Sequence, residues 1–208
     1  RKKFNIAEKI YKKILKTHPN HFETNYLLAT LFLQTQRFKD AKIMFIKSIK
    51  IKSDNVDALN NFALTLNELG EYEKAIIYYK KAISIKPDYA YAYNNLGNIY
   101  KNLKDFNKSI SCYIDAIKKK PDYVDAHKNL MQIYEKTNQE KNLENAISNA
   151  HNLIKGNKVP FLYEGILLFR NKKYKKAIQC LEKISFPNLD KDINKESTRV
   201  ETLAKCHN

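Results

Sequence analysis

Residues 56–89 (VDALNNFALTLNELGEYEKAIIYYKKAISIKPDY) align with residues 90–123 (AYAYNNLGNIYKNLKDFNKSISCYIDAIKKKPDY) without a gap. A unit of 34 residues cannot bury a core alone, so units of this size stack and share apolar faces with their neighbours. The register extends in both directions. Residues 22–55 form the preceding unit, 124–157 and 158–191 the following two, 1–21 the second half of an earlier unit, and 192–208 the start of a further one. The chain opens at Arg1 inside one helical pattern and stops inside another, so we expect flanking sequence.

Each unit contains two runs with helical periodicity. In 56–89 the first is marked by Leu59, Phe62, Ala63 and Leu66, the second by Tyr72, Ala75, Ile76, Tyr79, Ala82 and Ile83. Gly70 stands between them, where a left-handed turn costs it little, and Pro87 and Pro121 close the second helices of their units. Small residues share columns: Ala29, Ala63, Gly97 and Gly165 in first helices, Ala41, Ala75, Ser109 and Ala177 in second helices. They let the paired helices approach closely. The pattern weakens in 124–157, where Met131 and Leu143 occupy small-residue positions and the closing proline is missing. Residues 185–196 read as a polar insertion, with a new first helix from Ser197 through Val200, Leu203, Ala204 and His207. The expected fold is an all-α solenoid of helix-turn-helix units, a single domain over 1–208.

Tyr93, Leu96, Gly97, Tyr100, Phe106, Tyr113, Ala116 and Pro121, with Ser109 in place of one alanine, form a series that resembles the tetratricopeptide repeat. The resemblance implies a right-handed superhelix whose first helices line a concave groove, and a role in binding other proteins.

Composition narrows the functional classes. The formal charge is +16, yet only Arg1, Arg37, Arg170 and Arg199 are arginine among the 38 basic residues. Arginine is the side chain that forks onto phosphate and guanine edges, so its scarcity argues against nucleic-acid reading. The lysines are spread through every unit, and abundant Lys, Asn and Ile is also what AT-rich coding produces. An acidic protein or peptide partner stays open. No run reaches the roughly 18 apolar residues of a membrane span. Cys112, Cys180 and Cys206 are far apart and form no CxxC pair, which fits free thiols in a reducing cytoplasm. The histidines His18, His21, His127, His151 and His207 fall in different units without metal-ligand spacing, and no glycine-rich phosphate loop or nucleophile elbow is present. We therefore expect no catalytic residue, metal or cofactor in this stretch. For the His18–His21 turn, capping is the expected role.

The candidate binding site lies on the first helices. Asn61, Asn95 and Asn129 occupy one column of three consecutive units. A primary amide both donates and accepts, so such a column can pair with the backbone of an extended peptide without reading its side chains. Asn60, Asn94 and Lys128 precede the column, Asn98 and Gln132 follow one turn later, and Tyr26 and Tyr91 offer neighbouring pockets. Tyr26 and Leu27 replace the amides upstream, Leu162 and Tyr163 downstream, so the ends are expected to be more apolar. Within the family resemblance, the array is similar to the asparagine ladder of O-linked N-acetylglucosamine transferases. A carboxylate clamp would use Asn94 with Asn98 and Lys128 with Gln132, but its full basic set is missing. Two functions follow as expectations: a module that binds an extended peptide, or the substrate-recruiting arm of a larger glycosyltransferase, methyltransferase or sulfotransferase.

Overall fold

A computed structural model describes residues 2–184 and Val200. Residues 185–199 and 201–208, among them the expected polar insertion and Leu203, Ala204, Cys206 and His207, lie outside the described residues; Val200 itself is helical and buried. The described chain is all α-helical. The first helices of the units are α2 (Phe22–Gln34), α4 (Val56–Glu68), α6 (Ala90–Asn102), α8 (Val124–Lys136) and α10 (Val159–Arg170). The second helices are α1 (Lys2–Thr17), α3 (Phe38–Ile51), α5 (Tyr72–Ile85), α7 (Phe106–Lys119), α9 (Glu140–Leu153) and α11 (Tyr174–Glu182). The chain divides into two compact units, Arg1–Cys112 and Tyr113–Asn208.

In the first compact unit, each second helix packs on its own first helix and on the next one, and α4 also touches α2 and α6. Among the described residues of this unit, α1, α3 and α5 do not touch one another. The first helices thus form an inner layer and the second helices an outer one. The small-residue columns lie at the pairing seams: Ala29, Ala41, Ala63 and Ala75 are fully buried, and Phe45, Leu59, Leu66 and Tyr79 fill the space around them. Ser109 takes its alanine position without loss, because its buried hydroxyl donates to the Gly97 carbonyl oxygen at 2.8 Å.

The turn between paired helices repeats a single backbone device. Gln36, Gly70, Lys104, Asn138 and Lys172 all have positive φ, between 54° and 74°, and stand at the same position of five successive repeats. Glycine is the residue that takes this conformation freely, yet only Gly70 supplies it. A second device ties three of the repeats to the turn before them. Asn25 Nδ2 donates to the Pro19 carbonyl oxygen at 2.9 Å, Tyr93 Oη to that of Pro87 at 3.3 Å, and His127 Nε2 lies 2.8 Å from that of Pro121.

In the second compact unit α10 contacts α8, α9 and α11. Met131 and Leu143 are both buried, so the larger side chains are absorbed where small ones were expected. Gly165 packs against Leu181: a Cβ on that glycine would fall 2.6 Å from the leucine side chain. His21 caps α2, its Nδ1 accepting from the Thr24 amide at 3.3 Å.

Candidate functional site

The inner helices of the first compact unit carry a continuous chain of side-chain hydrogen bonds. Asn95 Nδ2 on α6 donates to Asn60 Oδ1 on α4 at 3.2 Å. Asn60 Nδ2 donates to Asn61 Oδ1 at 3.1 Å, and Asn61 Nδ2 donates to the Tyr26 hydroxyl oxygen on α2 at 3.1 Å. Both bonds between repeats follow one rule: the column residue of one unit donates to the residue just before the column in the preceding unit. Helical geometry explains it, since adjacent positions on a helix point about 100° apart, one along the layer and one down into the seam.

This arrangement changes the part that the flanking residues play. Asn60 and Asn94 are 6% and 4% exposed, so they are buried and not members of an open amide patch. Asn60 spends its oxygen on Asn95 and an N–H on Asn61. Asn61 and Asn95 are half-buried, as is Asn98. A primary amide has two N–H donors and two acceptor lone pairs. Asn61 uses one of each and Asn95 one N–H, so each keeps a donor and an acceptor for another molecule.

Tyr26 anchors the far end. Its ring stacks on Phe22 with centroids 6.0 Å apart and meets Phe45 edge-on at 6.2 Å. Burial, and then the nearby Asp57 carboxylate, hold its phenol above the usual tyrosine range, so it stays protonated. A neighbouring cluster was not anticipated from the sequence. The Tyr89 hydroxyl donates to Asp57 Oδ1 at 2.7 Å, and its ring meets that of Tyr91 edge-on at 5.6 Å. Burial, followed by the Asp57 hydrogen bond and charge, raises the Tyr89 phenol far above its usual range. Tyr91 is 43% exposed and offers an aromatic edge beside this pair. The repeated PDY at 87–89 and 121–123 was the available signal.

In the second compact unit, Lys128 and Asn129 are half-buried on α8 and Gln132 is exposed. Leu162 and Tyr163 on α10 are 4% and 6% exposed, so they belong to the core and do not line an apolar end of the site. Cys112 is half-buried and Cys180 buried, and neither is in a disulfide. Among the described residues, no three His, Cys, Asp or Glu side chains gather to hold a metal, and no helix is long and apolar enough to cross a membrane.

An inner and an outer layer of helices, repeated every 34 residues, define an α-solenoid of helix-turn-helix repeats. The family model described as TPR repeat matches residues 63–104, that described as tetratricopeptide repeat matches 90–123, and that described as anaphase-promoting complex, cyclosome, subunit 3 matches 1–82. Residues 63–123 are matched by the tetratricopeptide-repeat models. It is similar to a crystal structure of MamA at 25% identity, TM-score 0.65, covering 72% of this chain and 90% of that one. A second MamA crystal structure aligns at 24% identity and TM-score 0.62, over 84% of this chain and 86% of that one. The structure of pilF from Pseudomonas aeruginosa aligns at 17% identity and TM-score 0.71, over 89% of both chains. No curated protein matches the sequence. Repeats of this kind support a protein-interaction module in general terms.

Proposed function

We propose that the inner face of the first compact unit binds an extended peptide or protein segment through its backbone, with Asn61 and Asn95 as the principal contacts and Tyr26 and Tyr91 beside them. The observation that carries this reading is the hydrogen-bonded chain from Asn95 through Asn60 and Asn61 to Tyr26. It orders two amides in advance, one repeat apart, while leaving each a free donor and acceptor. Ordering before binding reduces the entropy lost when the ligand arrives. A peptide backbone offers the complementary N–H and C=O groups at regular intervals.

Charge points the same way. The inner helices α2, α4 and α6 carry Glu23, Asp57 and Glu68 against a single basic residue, Lys101. Recognition there rests on neutral amides, and binding should change little with salt. Asn129 occupies the same column on α8, and we include it as a contact for the second compact unit.

The test is a peptide array screened with the full chain, followed by fluorescence anisotropy on the strongest ligands. Asn61→Ala/Asn95→Ala should weaken binding by about tenfold or more, consistent with two lost hydrogen bonds. Asn129→Ala, measured separately, reports the contribution of α8. Undiminished binding in the double variant would sink the proposal.

A further inference from the structure

The positive charge of the first compact unit is segregated by layer. The outer helices hold six lysines in α1, four in α3 and three in α5, against Glu8, Asp40 and Glu73. Two of those acids are already engaged, Glu8 by Lys12 and Arg37, and Asp40 by Arg37. The outward stripe of α3 and α5 also exposes isoleucines. Ile43 and Ile77 share one column and are 55% and 63% exposed, and Ile46 is 37% exposed one turn along α3. Lys47, Lys80 and Lys81 flank them, all exposed and none paired with an acid.

Coding bias alone would spread this pattern over every repeat. It does not. At the columns of Ile43 and Lys47, α7 carries Ser111 and Asp115, α9 carries Asn145 and Asn149, and α11 carries Gln179 with Lys183 just after its end. Aliphatic side chains interleaved with unpaired lysines on one helical face match a surface with an apolar layer beneath a negative one. Lysine delivers charge without the forked geometry that reads phosphodiester backbones or bases, and no aromatic ring stands in the stripe to stack on a base.

We propose that the outer face of α3 and α5 docks on an anionic lipid bilayer, with Ile43, Ile46 and Ile77 entering the headgroup boundary and the surrounding lysines meeting lipid phosphates. In this arrangement α3 and α5 lie on the membrane surface. The inner face remains turned away and free for a peptide, so the two sites are independent.

Co-sedimentation of the full chain with vesicles tests this, using phosphatidylcholine alone and phosphatidylcholine mixed with phosphatidylglycerol. The expected result is binding to the mixed vesicles only, weakened by added salt. Ile43→Ser/Ile77→Ser should reduce it by about tenfold, and Lys47→Glu/Lys80→Glu/Lys81→Glu should abolish it. All five positions are exposed, so circular dichroism should show unchanged helicity in both variants. Absence of binding to mixed vesicles overturns the proposal. So does binding lost with the lysines but kept in full by the isoleucine variant, because an acidic protein or a nucleic acid would then account for the face equally well.

Discussion

Asn60 illustrates how much a single polar residue can contribute when it is buried and hydrogen-bonded on both sides. It accepts from Asn95 and donates to Asn61, joining two repeats. Replacement by leucine, which has similar size, strands a donor on Asn95 and an acceptor on Asn61. We expect Asn60→Leu to cost about 1–3 kcal/mol in urea denaturation. His127 is the second residue of this kind, 2% exposed with Nε2 against the Pro121 carbonyl oxygen. Burial lowers its pKa from the usual 6.5, partly offset by that carbonyl. The unfolded chain therefore takes up the proton at higher pH than the folded one, and stability falls as pH drops through the usual histidine range. Tyrosine fills the equivalent position at Tyr93 and reaches its own proline carbonyl. The variant His127→Tyr should keep the tie and lose the titration, giving a flatter stability profile between about pH 7 and pH 5. An unchanged profile would show that His127 does not govern acid sensitivity.

At the scale of the helix pair, the repeated turn is where the chain departs most from what its residues prefer. Lys104 and Lys172 have φ of 60° and 58°, a conformation that costs a residue with a Cβ about 1 kcal/mol. Lys104→Gly and Lys172→Gly should each raise stability by about 0.5–1 kcal/mol, less whatever the freer unfolded chain takes back. Gly70→Ala should act in the opposite sense although open space surrounds its Cβ, because its φ is 74°. Thermal melts of the three variants decide it. The same turn marks how far the sequence was legible. Helix ends, pairing seams and the inner column followed from period and residue size, since these depend on apolar volume repeating every 34 residues. The left-handed position was visible only where glycine occupied it, because the fold imposes it on Gln, Lys and Asn alike. Asn60 and Asn94 read as surface amides because periodicity ranks residues by polarity, and a buried asparagine serving its neighbours looks the same as a solvated one. The Tyr89–Asp57 pair was hidden for a different reason: its partners are 32 residues apart and meet only once adjacent repeats have stacked.

Within each compact unit, stability should behave as a sum of repeat terms and nearest-neighbour terms, because packing there runs between helices close in sequence. Gly165→Ala probes this at a defined place. The added methyl meets Leu181 Cδ2 at 2.6 Å and Cγ at 2.7 Å, and Leu181 is fully buried, so any shift it makes is taken up inside the core. The substitution must part α10 from α11 or displace Leu181 into its neighbours, at a cost of about 1–3 kcal/mol. In a globular domain with one core, such a loss would lower protection everywhere by the same amount. In a stack of repeats it should stay local. Hydrogen exchange followed by mass spectrometry should show faster exchange in α10 and α11, a smaller increase in α8 and α9, and no change in α2 to α5. A uniform increase across all helices would mean that the repeats fold as one cooperative body, and the additive description would then fail for this chain.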